Sequence, residues 1–151
     1  MRAVVQRVKN ASVNIEGNIF SSINHGFLVL LGISVNDNDL DMEYILDKII
    51  NLRVFTDNFG KMNDDISTIN GEILVVSQFT LYGDVRKGRR PSYTEAENGE
   101  NAERIYENFI NKLKDKYNSE KIKSGQFGAM MDVSLINNGP VTILLDSEKI
   151  F

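Results

Sequence analysis

The sequence contains no cysteine and no tryptophan, and only one histidine and two prolines among 151 residues. Without thiols there is no cysteine nucleophile, no thiolate-held zinc, no iron–sulfur cluster and no redox pair, a composition that suits a reducing interior. The lone imidazole, His25, excludes HExxH-type and multi-histidine metal sites. No nucleophile elbow lies beside it, so it reads as a turn residue before a strand. No metal and no cofactor are expected. Long apolar runs are missing as well: Phe27 to Leu31 and Ile73 to Val76 are far shorter than the roughly 20 residues of a membrane-crossing helix. The segment Met1 to Arg7 has neither the apolar core nor the small-residue cleavage site of a secretory signal. A cytoplasmic protein without membrane contact is the expectation. Nor is there an excess of positive charge. Lys+Arg number 17 against 21 Asp+Glu, a net charge of −4, which argues against indiscriminate binding of nucleic acid; no DNA partner is expected.

What is present is an ordinary globular composition, 42% hydrophobic and 25% charged, long enough for one domain over residues 1–151 with a core that needs no cross-link. Arg2 to Val8 and Ala11 to Ile15 read as two short strands, and Glu16-Gly17-Asn18 turns the chain into Ile19-Phe20. Phe27 to Ile33 is apolar without alternation, which predicts a central strand buried on both faces. Leu40, Tyr44, Ile45, Ile49 and Leu52 recur at helical spacing and predict a helix over about Asp39 to Leu52. Val54-Phe55 is a brief strand, Asn63 to Gly71 a polar loop, and Glu72 to Thr80 a second apolar strand. Ala102, Ile105, Tyr106, Phe109, Leu113 and Tyr117 form the stripe of a second helix, about Glu97 to Tyr117. Two strands, Met130 to Ile136 and Val141 to Leu145, are expected at the end. Two helices cannot cover both faces of one large sheet, so some sheet surface must pack on another sheet or another subunit.

Three segments can carry chemistry. Ser77-Gln78-Phe79-Thr80 ends an apolar strand, where α/β sheets place ligands. Its hydroxyls can cap a turn, Thr80 can be a nucleophile that lacks an adjacent base, or the backbone amides can form an oxyanion hole. Arg86-Lys87-Gly88-Arg89-Arg90 sets four cations within five residues of an acidic chain, either as a solvated loop or as a phosphate contact. Asn137-Asn138-Gly139-Pro140 is either a hairpin turn or a fixed cis-proline device that aims carbonyl groups at a ligand. Beside these, Ser124 to Met131 is a small-residue stretch, either a bend or a pocket wall supplied by Phe127 and Met131.

Taken in order along the whole chain, Met1-Arg2-Ala3-Val4-Val5-Gln6-Arg7-Val8, Ser77-Gln78-Phe79-Thr80-Leu81-Tyr82-Gly83-Asp84, Arg86-Lys87-Gly88-Arg89-Arg90-Pro91-Ser92, Phe127-Gly128-Ala129 with Met131, and Gly139-Pro140-Val141-Thr142 resemble the D-aminoacyl-tRNA deacylase family. The resemblance implies a cytoplasmic homodimer of mixed α/β fold, with β-sheets packed on each other and two helices on one side, a three-layer β/β/α arrangement. It implies hydrolysis of the ester between a D-amino acid and the terminal adenosine of tRNA, with glycyl-tRNA as a further possible substrate. Ser77, Gln78, Phe79 and Thr80 would then line the catalytic site. A cis Gly139-Pro140 pair would enter the partner subunit's pocket, hold the substrate amino group with its carbonyls and exclude L side chains. Phe127, Gly128 and Met131 would form the adenosine pocket with Ala102 nearby, Arg7 would fix the Gly-Pro segment, and Arg86, Lys87, Arg89 and Arg90 would meet the tRNA. Asn138 stands where the family has Asp, which keeps a turn-forming acceptor and removes a charge. Two other classes compete with this reading: a non-catalytic RNA-binding module and an esterase for small molecules.

Overall fold

A computed structural model describes residues 1–150. The elements follow in the order β1(Arg2–Ile15), β2(Asn18–Ile23), β3(Gly26–Gly32), α1(Asp39–Ile50), β4(Phe55–Thr56), β5(Met62–Asp64), β6(Glu72–Ser77), α2(Gly99–Lys116), β7(Ile122–Ser124) and β8(Asp132–Asp146), with a 3₁₀ turn over Phe79–Tyr82. No helix is long and apolar enough to cross a membrane.

The apolar run becomes the central strand. β3 pairs antiparallel with β1 and parallel with β6, and all its residues except Leu30 are buried. β7 adds a parallel strand beyond β6, giving the order β2-β1-β3-β6-β7, with β8 paired to β1. Each parallel step is bridged by one helix, α1 between β3 and β6 and α2 between β6 and β7, because parallel neighbours need a crossover. Asn38 caps α1 by accepting from Leu40 N–H at 2.8 Å, and the Asp41 carboxylate accepts from the Asn38 N–H at 2.9 Å. Both helices bury their stripes in one core. Met42, Ile45, Leu46 and Ile49 of α1 and Tyr106, Phe109, Ile110 and Leu113 of α2 meet Phe27, Val29, Ile73 and Val75 from one face of the sheet.

The alternate residues Leu28, Leu74 and Val76 point to the other face, where they form a second core with Val8, Ala11, Val13 and Ile23 of β1 and β2. Here the structure departs from the expected stack of separate sheets. One six-stranded sheet curls on itself, and Ser21 Oγ of β2 donates to the Ser124 carbonyl of β7 at 2.8 Å, joining its two ends. The only other sheet among the described residues is the small β4–β5 ladder, which takes part of the segment expected to be loop.

Two pairs of short strands also prove to be two long ones. β1 runs continuously from Arg2 to Ile15, and β8 runs beside it through the predicted turn. Gln6 is opposite Thr142 and Val8 is opposite Asn137, so Asn138 to Val141 form a four-residue bulge facing Arg7 alone. The chain does not reverse there, because the residues on both sides of Gly139-Pro140 pair with the same neighbour in the same direction.

Candidate functional site

β6 ends in the segment singled out from the sequence. Ser77 is in register with Leu31, and the Gln78 N–H donates to the Leu31 carbonyl at 2.7 Å. The chain then tightens into the 3₁₀ turn, held by Leu81 N–H to Gln78 carbonyl at 3.2 Å and Gly83 N–H to Thr80 carbonyl at 2.9 Å. Phe79 and Thr80 open that turn, so their N–H groups have no acceptor within it. The Thr80 hydroxyl accepts from Gln78 Nε2 at 2.5 Å, an amide that cannot take up a proton at neutral pH.

A cavity of about 620 Å³ opens at this strand end. It is lined by Leu31, Ile33 and Val76 of the sheet and its margin, by Ser77, Gln78 and Phe79 at the end of β6, by Ala102 of α2, and by Phe127, Gly128 and Met131 between β7 and β8. Seven of the expected site residues therefore surround one space. Phe127 is carried by the loop after β7, where Gly128 has φ +74°, a backbone conformation that favours glycine. Beneath this loop the Tyr106 hydroxyl donates to the carbonyls of Val75 at 2.8 Å and Gly125 at 3.4 Å, and the Tyr106 ring lies 5.7 Å from that of Phe127. Burial pushes the Tyr106 hydroxyl's pKa up, so it stays protonated as the donor of this tie. Tyr106 was legible in the sequence only as a member of the α2 stripe.

Thr80, expected with its three neighbours in the site, follows Phe79 in the 3₁₀ turn but does not itself line the cavity, and neither do Arg7, Gly139 and Pro140, which meet at the β1–β8 bulge. The Gly139–Pro140 peptide is cis, and both residues are exposed. Arg7 is 9% exposed; its Nε donates to the Asn138 carbonyl at 3.0 Å and its guanidinium also donates to the Val54 carbonyl. This bond uses the main chain of Asn138, so it does not require a carboxylate at that position. Asn137 closes the bulge: its Oδ1 accepts from Val141 N–H at 3.2 Å and its Nδ2 donates to Thr142 Oγ1 at 3.0 Å. The sequence showed Asn137 only as a turn former.

The basic stretch is the tip of a loop closed by reciprocal hydrogen bonds between Asp84 and Ser92, at 2.8 and 2.9 Å. Arg86 folds back on Asp84, with Nε to Oδ1 at 2.9 Å and a second guanidinium nitrogen to Oδ2 at 2.8 Å. That pairing holds the Asp84 carboxyl down to about 2. Lys87, Arg89 and Arg90 are exposed and form no ion pair among the described residues. Arg2, which the sequence does not mark as a site residue, links the site to the frame. Its Nε pairs with the buried Asp146 at 2.9 Å, its guanidinium donates to the Leu81 carbonyl at 3.1 Å, and it lies 4.4 Å over the Tyr82 ring. The 3₁₀ turn is thereby anchored to β1 and β8.

The family model described as D-Tyr-tRNA(Tyr) deacylase matches residues 4–146. Similar curated proteins include the D-aminoacyl-tRNA deacylases of Thermosipho africanus (strain TCF52B), 58% identical, and of Clostridium botulinum (strain Eklund 17B / Type B), 56% identical, each covering 100% of both chains. A solved structure described as c-Myc DNA Unwinding Element Binding Protein superposes with a TM-score of 0.93 at 47% identity, over 97% of this chain and 98% of that one. A second, described as a probable eukaryotic D-amino acid tRNA deacylase, has a TM-score of 0.80 over 96% of this chain and 98% of that one; at 15% identity it shows the shared fold.

Proposed function

The chain belongs to the D-Tyr-tRNA(Tyr) deacylase family and is a hydrolase acting on the ester bond of D-aminoacyl-tRNA, and we propose that the cavity at the end of β6 takes the terminal adenosine with its D-aminoacyl ester. The observation that carries this reading is the gathering of Ser77, Gln78, Phe79, Ala102, Phe127, Gly128 and Met131 around one space, beside two backbone amides that no partner in their own turn satisfies. Phe127, Gly128 and Met131 hold the adenosine. The N–H groups of Phe79 and Thr80 polarise the ester carbonyl and stabilise the oxyanion formed on attack. Water is the nucleophile, assisted by the 2′-hydroxyl of the terminal ribose. Its oxygen bonds to the carbonyl carbon, the ester C–O bond breaks, and the ribose oxygen leaves with a proton. The Thr80 hydroxyl is not the nucleophile in this scheme, because its side-chain partner Gln78 is no base.

Chirality is set by a second copy of the chain. β8 pairs only with β1 among the described residues, which leaves a 15-residue edge open, and Ile136 and Leu144 on it are about half exposed. A homodimer formed through this region brings the exposed Gly139-Pro140 bulge of one subunit to the cavity of the other. The bulge carbonyls receive the substrate amino group, and the space for an L side chain is filled by backbone. Such a filter rejects the wrong hand without reading any particular side chain, so D-amino acids of many kinds are accepted, and glycine, which has no side chain to exclude, is accepted too. Lys87, Arg89 and Arg90, with Arg86 shared between Asp84 and phosphate, contact the tRNA backbone. The reaction takes place in the cytoplasm without metal or cofactor.

The test is release of amino acid from D-tyrosyl-tRNA and L-tyrosyl-tRNA side by side, with the parent protein and with Pro140→Ala and Thr80→Ala. Loss of only the D ester, retained in Thr80→Ala, supports the scheme. Binding of tRNA without turnover of either ester overturns it in favour of an RNA-binding module, and cleavage of free esters insensitive to the basic loop overturns it in favour of a small-molecule esterase.

A further inference from the structure

Tyr93 stands between the cavity and the basic loop. Its ring meets that of Phe79 edge-on, with centroids 5.0 Å apart and planes at 71°, and both rings lie on the cavity wall. Neither is a core residue: Phe79 is 55% exposed and Tyr93 38%. The backbone holds the pair in place from both directions. Ser92, just before Tyr93, is doubly bonded to Asp84 at the neck of the basic loop. Just after it, Ala96 N–H donates to the Tyr93 carbonyl at 3.0 Å and Glu97 N–H to the Ile33 carbonyl at 2.9 Å. Gly83 gives the ring its room, since a Cβ there would sit 3.0 Å from Tyr93 Cε1.

The charges near the cavity favour one route for a strand of RNA. Glu97 lines the cavity itself, and Glu103 and Glu107 of α2 border the adjoining hollow, so phosphates are repelled on that side. Lys87, Arg89 and Arg90 are exposed in the loop whose neck residue, Ser92, immediately precedes Tyr93, and of the nearby acids Glu95 faces Arg86. A strand whose last nucleotide occupies the cavity, as proposed above, and whose phosphates reach this loop passes the exposed aromatic pair, because Tyr93 both lines the cavity and adjoins the neck of the loop. Resting on that reading, we propose that Tyr93, backed by Phe79, is a stacking platform for the nucleobase that precedes the terminal adenosine of the tRNA. An aromatic face holds a base by stacking alone, so the platform needs no hydrogen-bond contact to that base.

The experiment measures kcat/KM for D-tyrosyl-tRNA, for a two-nucleotide D-tyrosyl ester and for 3′-D-tyrosyl-adenosine, using the full-length protein and its Tyr93→Ala and Tyr93→Phe variants. The expected result is that Tyr93→Ala lowers the ratio of tRNA to adenosine ester by about tenfold, lowers the ratio of two-nucleotide to adenosine ester equally, and that Tyr93→Phe keeps both within about twofold. Because each variant is compared with itself on the shortest ester, a general defect in folding or chemistry cancels. An unchanged ratio in Tyr93→Ala overturns the proposal, since the ring then only shapes the adenosine cavity. A two-nucleotide ester that behaves like the adenosine ester also overturns it. If the parent protein cleaves none of the three, the functional reading beneath fails, and this proposal with it.

Discussion

Arg7 Nε donates to the main-chain carbonyl of Asn138 at 3.0 Å, and the same guanidinium holds the Val54 carbonyl, so one nearly buried side chain links the bulge of β8 to the strand junction before β4. Lysine carries its donors on one nitrogen and lacks the planar fork whose separate nitrogens reach these two acceptors. Arg7→Lys is expected to leave one buried carbonyl unpaired, at a cost of about 1–3 kcal/mol in denaturant unfolding. It is also expected to lower kcat/KM on D-tyrosyl-tRNA by about tenfold, because the bulge, although still closed by Asn137, is then no longer tied to the Val54 carbonyl through one rigid side chain. Unchanged stability together with unchanged activity would show that the bulge holds its shape without this side chain.

Gly26 begins β3 directly opposite Glu72 of β6 in the parallel ladder. A Cβ on Gly26 would fall 1.8 Å from the Glu72 carbonyl oxygen, a backbone atom that cannot swing aside. Gly26→Ala is therefore expected to separate these strands at their start and to destabilise the fold by about 3 kcal/mol. A shift of the urea midpoint without a change in slope reads the effect.

The sequence made the central strand, both helices and the end of β6 legible, because Phe27 to Ile33, the α1 and α2 stripes and Glu72 to Ser77 carry their periodicity locally. It did not reveal that β1 and β8 are continuous. Lys9-Asn10 and Asn138-Gly139-Pro140 look like breaks, and only the pairing of their flanks with a common neighbour turns them into irregularities within strands. Of the seven residues around the cavity, Ser77, Gln78 and Phe79 are marked by their place at the end of an apolar strand and Phe127 and Met131 by their small-residue stretch, while the roles of Gly128 and Ala102 follow only from the resemblance to a known family. Tyr93, Arg2, Asn137 and Tyr106 were missed because three of them act through partners distant in sequence or through backbone carbonyls, while the local bonds of Asn137 imitate an ordinary turn.

His25 is the only histidine of the chain, and its ring packs 5.2 Å from that of Phe55. Burial, and secondarily the nearby Arg7 charge, lower its pKa below 6.5. The unfolded chain then binds this proton more readily than the folded one. Stability from the group is whole above pH 6.5 and declines as pH falls below it, until the folded-state pKa is passed. The single imidazole resonance is expected to titrate with a midpoint below 6.5 and to move upward in Arg7→Gln, where the charge is gone. A midpoint at or above 6.5 would show that neither the packing against Phe55 nor the Arg7 charge acts on this ring.

Lys87, Arg89 and Arg90 project from a loop whose neck is fixed by Asp84 and Ser92, and Asp84 already occupies Arg86. If the three outward cations bind phosphates, replacing all three with alanine should weaken productive binding of tRNA and flatten its dependence on salt, the slope falling by about one for each phosphate that is no longer neutralised. Cleavage of 3′-D-tyrosyl-adenosine, which has no phosphate backbone, should show no such change in salt dependence. Kinetics for both esters between about 50 and 200 mM salt make the comparison. Equal effects on the two would mean that the loop acts on the architecture of the cavity, which its neighbour Tyr93 helps to line, rather than on the nucleic acid.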